Sequence, residues 1–476
     1  MTDDDILTLS ARELRAQFLA RTLSPRELLS STIERIERVN GALNALVTPT
    51  LERAHAEAAA AEAAYATGVD VEKRPLLGLP ITVKDNIQTK GIRTTAGSLL
   101  LKDFVPEADA PAAERAFAAG SVMLGKTNTP EFGWKGETTN RVFGTTRSPW
   151  NLERTPGGSS GGGAACVASG IGPFALGTDG GGSIRIPAAY CGIFGFKATF
   201  GLVPYAPNSA LESLGHTAVL SRSVRDAALL LSAIAGADPR DRLSLNTPKV
   251  DWVAAVDGGV RGLRVAWSPN LGYAPVETEV AAIAREAAFA LGEAGATVEE
   301  VELDFSDPHD LVYAFFAAAN AAGHRDDWEQ VRNLVDFGRV EMIEEGFRLG
   351  AADIGDALIK RARWSEKMVR FLESYDVLLT PTMPSTAFAA GIDGPPSIAG
   401  VPTLRMRWTP FTYGMNLTGQ PAASVPSGLA SDGLPVGLHV IGRRHDDATV
   451  LRVCAAVEAV RPWAHLRPSL LGSPES

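Results

Sequence analysis

The chain has 476 residues, 45% of them hydrophobic and 21% charged, with a formal net charge of −10. That balance excludes disorder as the main state and a phosphate-binding surface spread over the whole protein, so no nucleic-acid partner is expected. Three cysteines, Cys166, Cys191 and Cys454, make no disulfide framework and no Cys/His cluster of metal spacing.

In chain order, Ser24-Pro25-Arg26-Glu27 has the pattern of a capping box with Pro at the first helical position. Leu29, Ile33 and Ile36 follow on one helical face, and Gly41 is the expected stop. Residues 51–67 read as an Ala/Glu-rich outer helix, so 1–70 form an N-terminal helical layer. From 76 the texture changes. Short apolar runs at 79–83, 122–124 and 174–176 alternate with helical patterns at 112–119 and 224–235, which predicts an α/β sheet covered by helices. A strand at 263–266, a helix at 276–291 and a strand at 297–303 repeat the pattern. Residues 305–375 read as helical and rich in aromatics, and a Pro/Gly-rich segment at 381–403 separates them from a last strand pair and helix. With no internal repeat and no Ser/Gly linker, one continuous domain is expected. The acidic Met-Thr-Asp-Asp-Asp start gives no secretory signal and no run of about 18 apolar residues occurs, so the expectation is a soluble cytoplasmic protein without a membrane partner.

Two short motifs are decoys. Residues 120–127 match GxxxxGK[ST], but a helical pattern precedes them and Val122, Met123 and Leu124 read as a buried strand, so a phosphate cradle is not expected. Residues 157–161 match the GxSxG elbow of an α/β-hydrolase esterase, which needs a downstream acid and His. His216, His309, His324, His439 and His445 are available, none with a local signature.

Three loops taken together carry the chemistry: GLPITVKDN at 78–86, GGSSGG at 157–162 and GTDGGGSIRIP at 177–187. Any one of them alone is a tight turn, and Lys84 alone is a surface lysine paired with Asp85. Together they set two serines on glycine-rich loops and end an apolar strand in a lysine. Glycines beside a serine leave backbone N–H groups free and let a carbonyl approach. A nucleophile and an oxyanion hole are the requirements of acyl transfer.

These loops, with TTAGS (94–98), GKTNTPEF (125–132), the run 176–199, NLTGQPAASVPSG (416–428) and LPVGLHVIG (434–442), closely resemble the amidase signature family. The resemblance is strongest over 76–235 and implies one amidase signature domain over 1–476. Its fold would be a large mixed β-sheet sandwiched by α-helices, with 305–375 as a variable substrate cap. It also implies a Ser–cis-Ser–Lys triad: Ser183 as nucleophile, Ser159 as bridging serine and Lys84 as general base, with an oxyanion hole from the N–H groups of Gly180, Gly181, Gly182 and Ser183. Position 180 departs from the family, where a larger residue such as Thr or Ile is common, and a roomier acyl pocket is expected. Asp179 and Arg185 are expected to fix the loop as a buried pair, with Ser160 in support.

The implied reaction is amide hydrolysis through an acyl-enzyme on Ser183, with no metal or organic cofactor. For Lys84 to act as a base its pKa must fall from about 10.4 toward 7, which burial on an apolar strand can supply. The expected substrate is a small-molecule hydrophobic or aryl amide or a carbamate, held by Trp134, Ile193, Phe194 and aromatics of 305–375, and a homodimer is expected. The main alternative is the glutaminase component of a tRNA-dependent amidotransferase. Against it, residues 211–216 read LESLGH where that component typically resembles SLDQIGP.

Overall fold

A computed structural model describes residues 3–68, 70–211, 213–468 and 470. Met1 and Thr2 of the acidic start, and Glu212 of LESLGH, lie outside the described residues. Among those described, eleven strands form one mixed sheet. In chain order they are β1 (Leu46–Pro49), β2 (Pro80–Lys84), β3 (Val122–Thr127), β4 (Phe174–Asp179), β5 (Phe194–Lys197), β6 (His216–Ser221), β7 (Arg264–Trp267), β8 (Thr297–Glu300), β9 (Val377–Pro381), β10 (Ala422–Leu429) and β11 (Pro435–Gly442). Across the sheet the order is β1-β3-β2-β4-β6-β5-β10-β11-β9-β7-β8. The segment β3-β2-β4 is parallel, as is β9-β7-β8, and the strands between them pair antiparallel.

Every residue of β2, β3, β4 and β6 is buried, as expected for strands covered on both faces. The GxxxxGK[ST] match therefore lies largely in β3. Lys126 is buried there and donates to Ile87 O, Thr89 Oγ1 and Thr94 Oγ1. Helices cover the sheet: Pro25–Leu43 and Leu51–Thr67 beside β1 and β3, Val224–Ile234 against β6 and β5, Thr278–Phe289 and Asp447–Val460 against β10 and β11. Among the described residues no helix is long and apolar enough to cross a membrane.

The capping box forms as the sequence predicts, with Glu27 N–H donating to Ser24 Oγ at 3.2 Å and Ser24 N–H to Glu27 Oε2 at 2.7 Å. The stop falls later than Gly41. The helix runs to Leu43 and Asn44 closes it in the left-handed region at φ 51°. Its side chain donates to Phe143 O at 2.7 Å, a distant partner invisible in the local pattern. Residues 305–375 divide into four helices: His309–Ala322, Trp328–Val331, Phe337–Arg348 and Ala351–Leu372.

Two features of this frame position the site. Strands β2 and β4 are parallel neighbours, with Val83 opposite Leu176, so Lys84 and Thr178 emerge at the same edge. The helix Gly161–Ala168 begins immediately after Ser159 and Ser160 and packs on β2, β4 and β6.

Candidate active site

Lys84 is the last residue of an apolar strand, and its side chain is fully buried. Its Nζ lies 2.6 Å from Ser159 Oγ and 2.8 Å from Thr178 Oγ1. Burial pushes the Lys84 ammonium down to about 7, against the opposing pull of the Asp179 carboxylate. Asp85 faces elsewhere and accepts the Thr95 N–H at 3.1 Å, so Lys84 and Asp85 do not form the surface pair that each alone would suggest.

The peptide bond between Gly158 and Ser159 is cis. Gly158 is packed so closely that a Cβ there would stand 2.8 Å from the backbone N, C and O of Glu137. Ser160 N–H donates to Ser183 O at 3.1 Å, which sets the two serine loops side by side. Ser160 Oγ also bridges to β4, donating to Thr178 O at 3.1 Å.

The loop after β4 is folded around the Asp179 carboxylate. Gly182 N–H donates to its Oδ1 at 2.8 Å and Ile184 N–H to its Oδ2 at 3.2 Å. Arg185 meets the same carboxylate through two bonds of 3.0 Å, both side chains being fully buried. Burial alone would raise the Asp179 pKa, but Arg185 holds it well below the usual carboxylate range. Arg185 also donates to Thr412 O at 2.9 Å and Asn416 Oδ1 at 2.7 Å, tying the loop to the C-terminal part of the chain. Of the N–H groups expected for an oxyanion hole, that of Gly182 is therefore committed to Asp179. Those of Gly180, Gly181 and Ser183 have no acceptor among the described residues.

Ser183 is 9% exposed and opens onto a cavity of about 300 Å³. Trp134, Ile186, Phe316, Met342, Met406 and Trp408 give it a largely apolar wall. Phe316 covers the glycine loop, its Cζ lying 3.6 Å and 3.5 Å from where Cβ atoms on Gly180 and Gly181 would stand. The charges at the cavity are paired: Lys135 Nζ lies 2.6 Å from Asp393 and 3.3 Å from Glu137, and Arg405 meets Glu345. Burial alone would lower the Lys135 pKa, but Glu137 and Asp393 hold it above the ordinary lysine value, the opposite of Lys84.

Of the expected pocket residues, Trp134 lines this cavity and Ile193 and Phe194 do not. Phe194 opens β5, is fully buried and stacks on Phe196 with ring centroids 6.5 Å apart. Ile193 faces a separate smaller cavity beside Trp150 and Arg222. Both follow the left-handed Gly192 that ends the helix Arg185–Cys191, and the chain there turns into the sheet rather than toward Ser183. The aromatics of 305–375 divide: Tyr313 and Phe316 reach the cavity, while Phe305, Trp364 and Phe371 pack in the core. Sequence reasoning missed Thr178 and Trp408. Thr178 sits inside the GTDGGGS motif and was legible there as a hydroxyl one residue before Asp179. Trp408 follows the Pro/Gly-rich segment, which supplies cavity wall as well as separation.

Among the described residues no hydrogen bond joins a histidine to Ser159, Ser160 or Ser183. His216 Nδ1 bonds instead with Leu214 O at 2.8 Å, and His439 Nε2 lies 3.1 Å from Arg185. The serine–histidine arrangement of an α/β-hydrolase is not assembled here.

A family model described as "Amidase" matches residues 27–451. The chain is similar to an acylamidase of Rhodococcus erythropolis, 38% identical and covering 98% of this chain and 99% of the relative. It is also 38% identical to a glutamyl-tRNA(Gln) amidotransferase component of Moorella thermoacetica, over 98% of this chain and 99% of that one. Among solved structures, a bacterial aryl acylamidase of the amidase signature family superposes with a TM-score of 0.91 at 33% identity, covering 98% of this chain and 99% of that one. With a family match over most of its length, full-length relatives and a shared fold, this chain belongs to the amidase signature family and is an amide-hydrolysing enzyme.

Proposed function

We propose that the enzyme hydrolyses neutral hydrophobic or aryl amides, and carbamates of similar shape, through an acyl-enzyme on Ser183. Neutral Lys84 takes the Ser159 proton as Ser159 takes that of Ser183, and Ser183 Oγ attacks the carbonyl carbon. The N–H groups of Gly180, Gly181 and Ser183 would receive the oxyanion. Collapse breaks the C–N bond, the nitrogen taking a proton from Ser159, which regains one from Lys84. Water then hydrolyses the ester by the same relay. The observation that carries this reading is the 2.6 Å contact between Ser159 and a buried lysine whose pKa is near 7.

The apolar wall favours uncharged substrates, and Phe316 stands where a larger residue at position 180 would reach, so the expected roomier acyl pocket does not arise at Gly180. Residues 305–375, through Tyr313 and Phe316, act as the substrate cap. The amidotransferase reading would need groups for the α-carboxylate and α-ammonium of glutamine, yet Lys135 and Arg405 are already paired. Three free, buried cysteines suit a reducing, cytoplasmic setting.

The test is a panel of anilides, carbamates and glutamine with purified protein, followed by intact-mass trapping of the acyl-enzyme. Anilide turnover should exceed glutamine turnover, and Ser183→Ala should lower kcat by about 10³-fold or more and abolish the trapped mass. Near-normal turnover by that variant, or glutamine as the preferred substrate, would refute the reading.

A further inference from the structure

Two cavities meet at Gly133 and Trp134. The first holds Ser183; the second, about 440 Å³, lies on the other side of those residues. Asn86 and Thr178 line it, and Thr178 is the residue whose hydroxyl touches Lys84. Phe104, Phe132 and Leu101 add apolar wall.

The relay of protons assigns an orientation to the substrate. The leaving nitrogen must sit within hydrogen-bond reach of Ser159 Oγ, its proton donor. That oxygen is at the junction: a Cβ on Gly133 would stand 2.9 Å from it and 3.8 Å from Asn86 Nδ2. Gly133 also has φ +74°, so glycine is required there both for conformation and for space. The candidate oxyanion donors lie on the first-cavity side, beneath Phe316 and Met406. A carbonyl directed at those donors, with its nitrogen against Gly133, leaves its acyl group in the first cavity and points its amine toward the second.

The second cavity offers something to hold that amine. Asn86 Nδ2 donates to Thr178 Oγ1 at 3.1 Å, which leaves Asn86 Oδ1 buried with no partner among the described residues. A buried acceptor without a donor is costly, and because Oδ1 has no free surface, the Asn86 amide would turn to present it to the amine N–H. Arg339, also on this wall, is committed: its Nε donates to Asn320 at 2.7 Å, its Nη1 lies 3.2 Å from Glu131, and it stacks over Phe132.

We propose that the second cavity is an amine subsite, taking the leaving-group half of the amide and then the neutral aryl or aralkyl amine product, while the acyl half stays on Ser183. The proposal rests on the serine–lysine relay described above. In the step concerned the C–N bond breaks, its electron pair stays on nitrogen, and nitrogen gains the proton of Ser159 as Ser159 gains one from Lys84. The amine departs through the second cavity and the first remains filled by the acyl group.

The test uses the full chain and amides of one acyl group with ammonia, aniline and naphthylamine as leaving groups. Ala319→Phe, which narrows the second cavity, should lower the kcat/KM ratio of anilide to primary amide by about tenfold or more, while Leu101→Ala, which widens it, should raise the naphthylamide ratio. A carboxylic acid product and an aryl amine should inhibit the wild type simultaneously, giving intersecting lines in a double-inhibition plot. Unchanged ratios in both variants, or parallel lines, overturn the subsite. Absence of any wild-type hydrolysis, together with no labelling of Ser183 by a fluorophosphonate, overturns the relay itself.

Discussion

Thr178→Val is the sharpest perturbation of the proposed base, Lys84, that leaves the lysine in place. Thr178 Oγ1 accepts from Lys84 Nζ at 2.8 Å, and valine keeps the shape of the side chain while removing that acceptor. A hydrogen bond from a charged donor is worth about 1.5–3 kcal/mol, and one from a neutral donor about 0.5–1.5 kcal/mol. Losing the acceptor therefore costs the ammonium about 1 kcal/mol more than it costs the free amine, a fall of roughly 0.7 unit in pKa. The base is active when neutral, so in the wild type kcat/KM should rise with pH through about 7. In Thr178→Val that acid limb should move down by roughly 0.7 of a pH unit, with a lower plateau because Lys84 has lost an anchor. Thr178→Ser keeps the acceptor and should keep the limb. Profiles measured with a chromogenic anilide from about pH 5 to 9 at constant ionic strength, a range that brackets the limb, decide it. A limb in Thr178→Val that stays in place or moves up would refute the assignment of Lys84 as the base.

Three other outcomes follow from the geometry. Gly158→Ala forces a Cβ against backbone that cannot yield, and should lower stability by about 1–3 kcal/mol and abolish activity, read by denaturant midpoint and anilide turnover. Arg185→Met leaves Asp179 as an uncompensated buried charge and should destabilise by about 3–5 kcal/mol, and the apolar pair Asp179→Leu with Arg185→Met should restore neither stability nor activity, because the N–H groups of Gly182 and Ile184 and the Asn416 amide lose their acceptor. Lys84, Lys126 and Lys197 are each pushed by burial to about 7. Above that pH the folded chain binds fewer protons than the unfolded one, so stability should rise from about pH 7 to about 8.5, before unfolded thiols ionise. Lys197→Met should flatten that rise by about 1.4 kcal/mol per pH unit, measured by urea midpoints, and an unchanged slope would contradict the burial argument.

The parts of the site legible in the sequence are those whose chemistry is local. Lys84 closes an apolar run, and Ser159 and Ser183 stand among glycines, so residue type and neighbours suffice to nominate them. The relation between them depends on β2 and β4 lying side by side, a pairing across more than 90 positions that no short window carries. The pocket was harder. Aromatic residues serve core and cavity alike, so Phe194 and Phe316 look equivalent until β5 buries one and the helix His309–Ala322 turns the other toward Ser183. Gly182 shows the same limit within a motif. Its N–H was nominated with its neighbours, and only the folded loop commits it to Asp179. Strands β1, β5, β6 and β9 were not foreseen; β5 and β6 pair with each other, but β5 also needs β10, β1 needs β3, and β9 needs β7 and β11, partners that no local window shows.

The clamp on the glycine loop bears on synthesis as well as on catalysis. Lys84, Ser159 and Ser183 all lie in the first two-fifths of the chain, yet Arg185 is gripped by Thr412 and Asn416, near its end. A ribosome that has translated as far as residue 400 has made every group of the proposed relay, and Asp179 to grip the loop from within, but not the Thr412 and Asn416 contacts that hold Arg185 from outside it. Incomplete chains should therefore be inert toward amides, and hydrolytic competence should arrive only when the last portion of the polypeptide has docked.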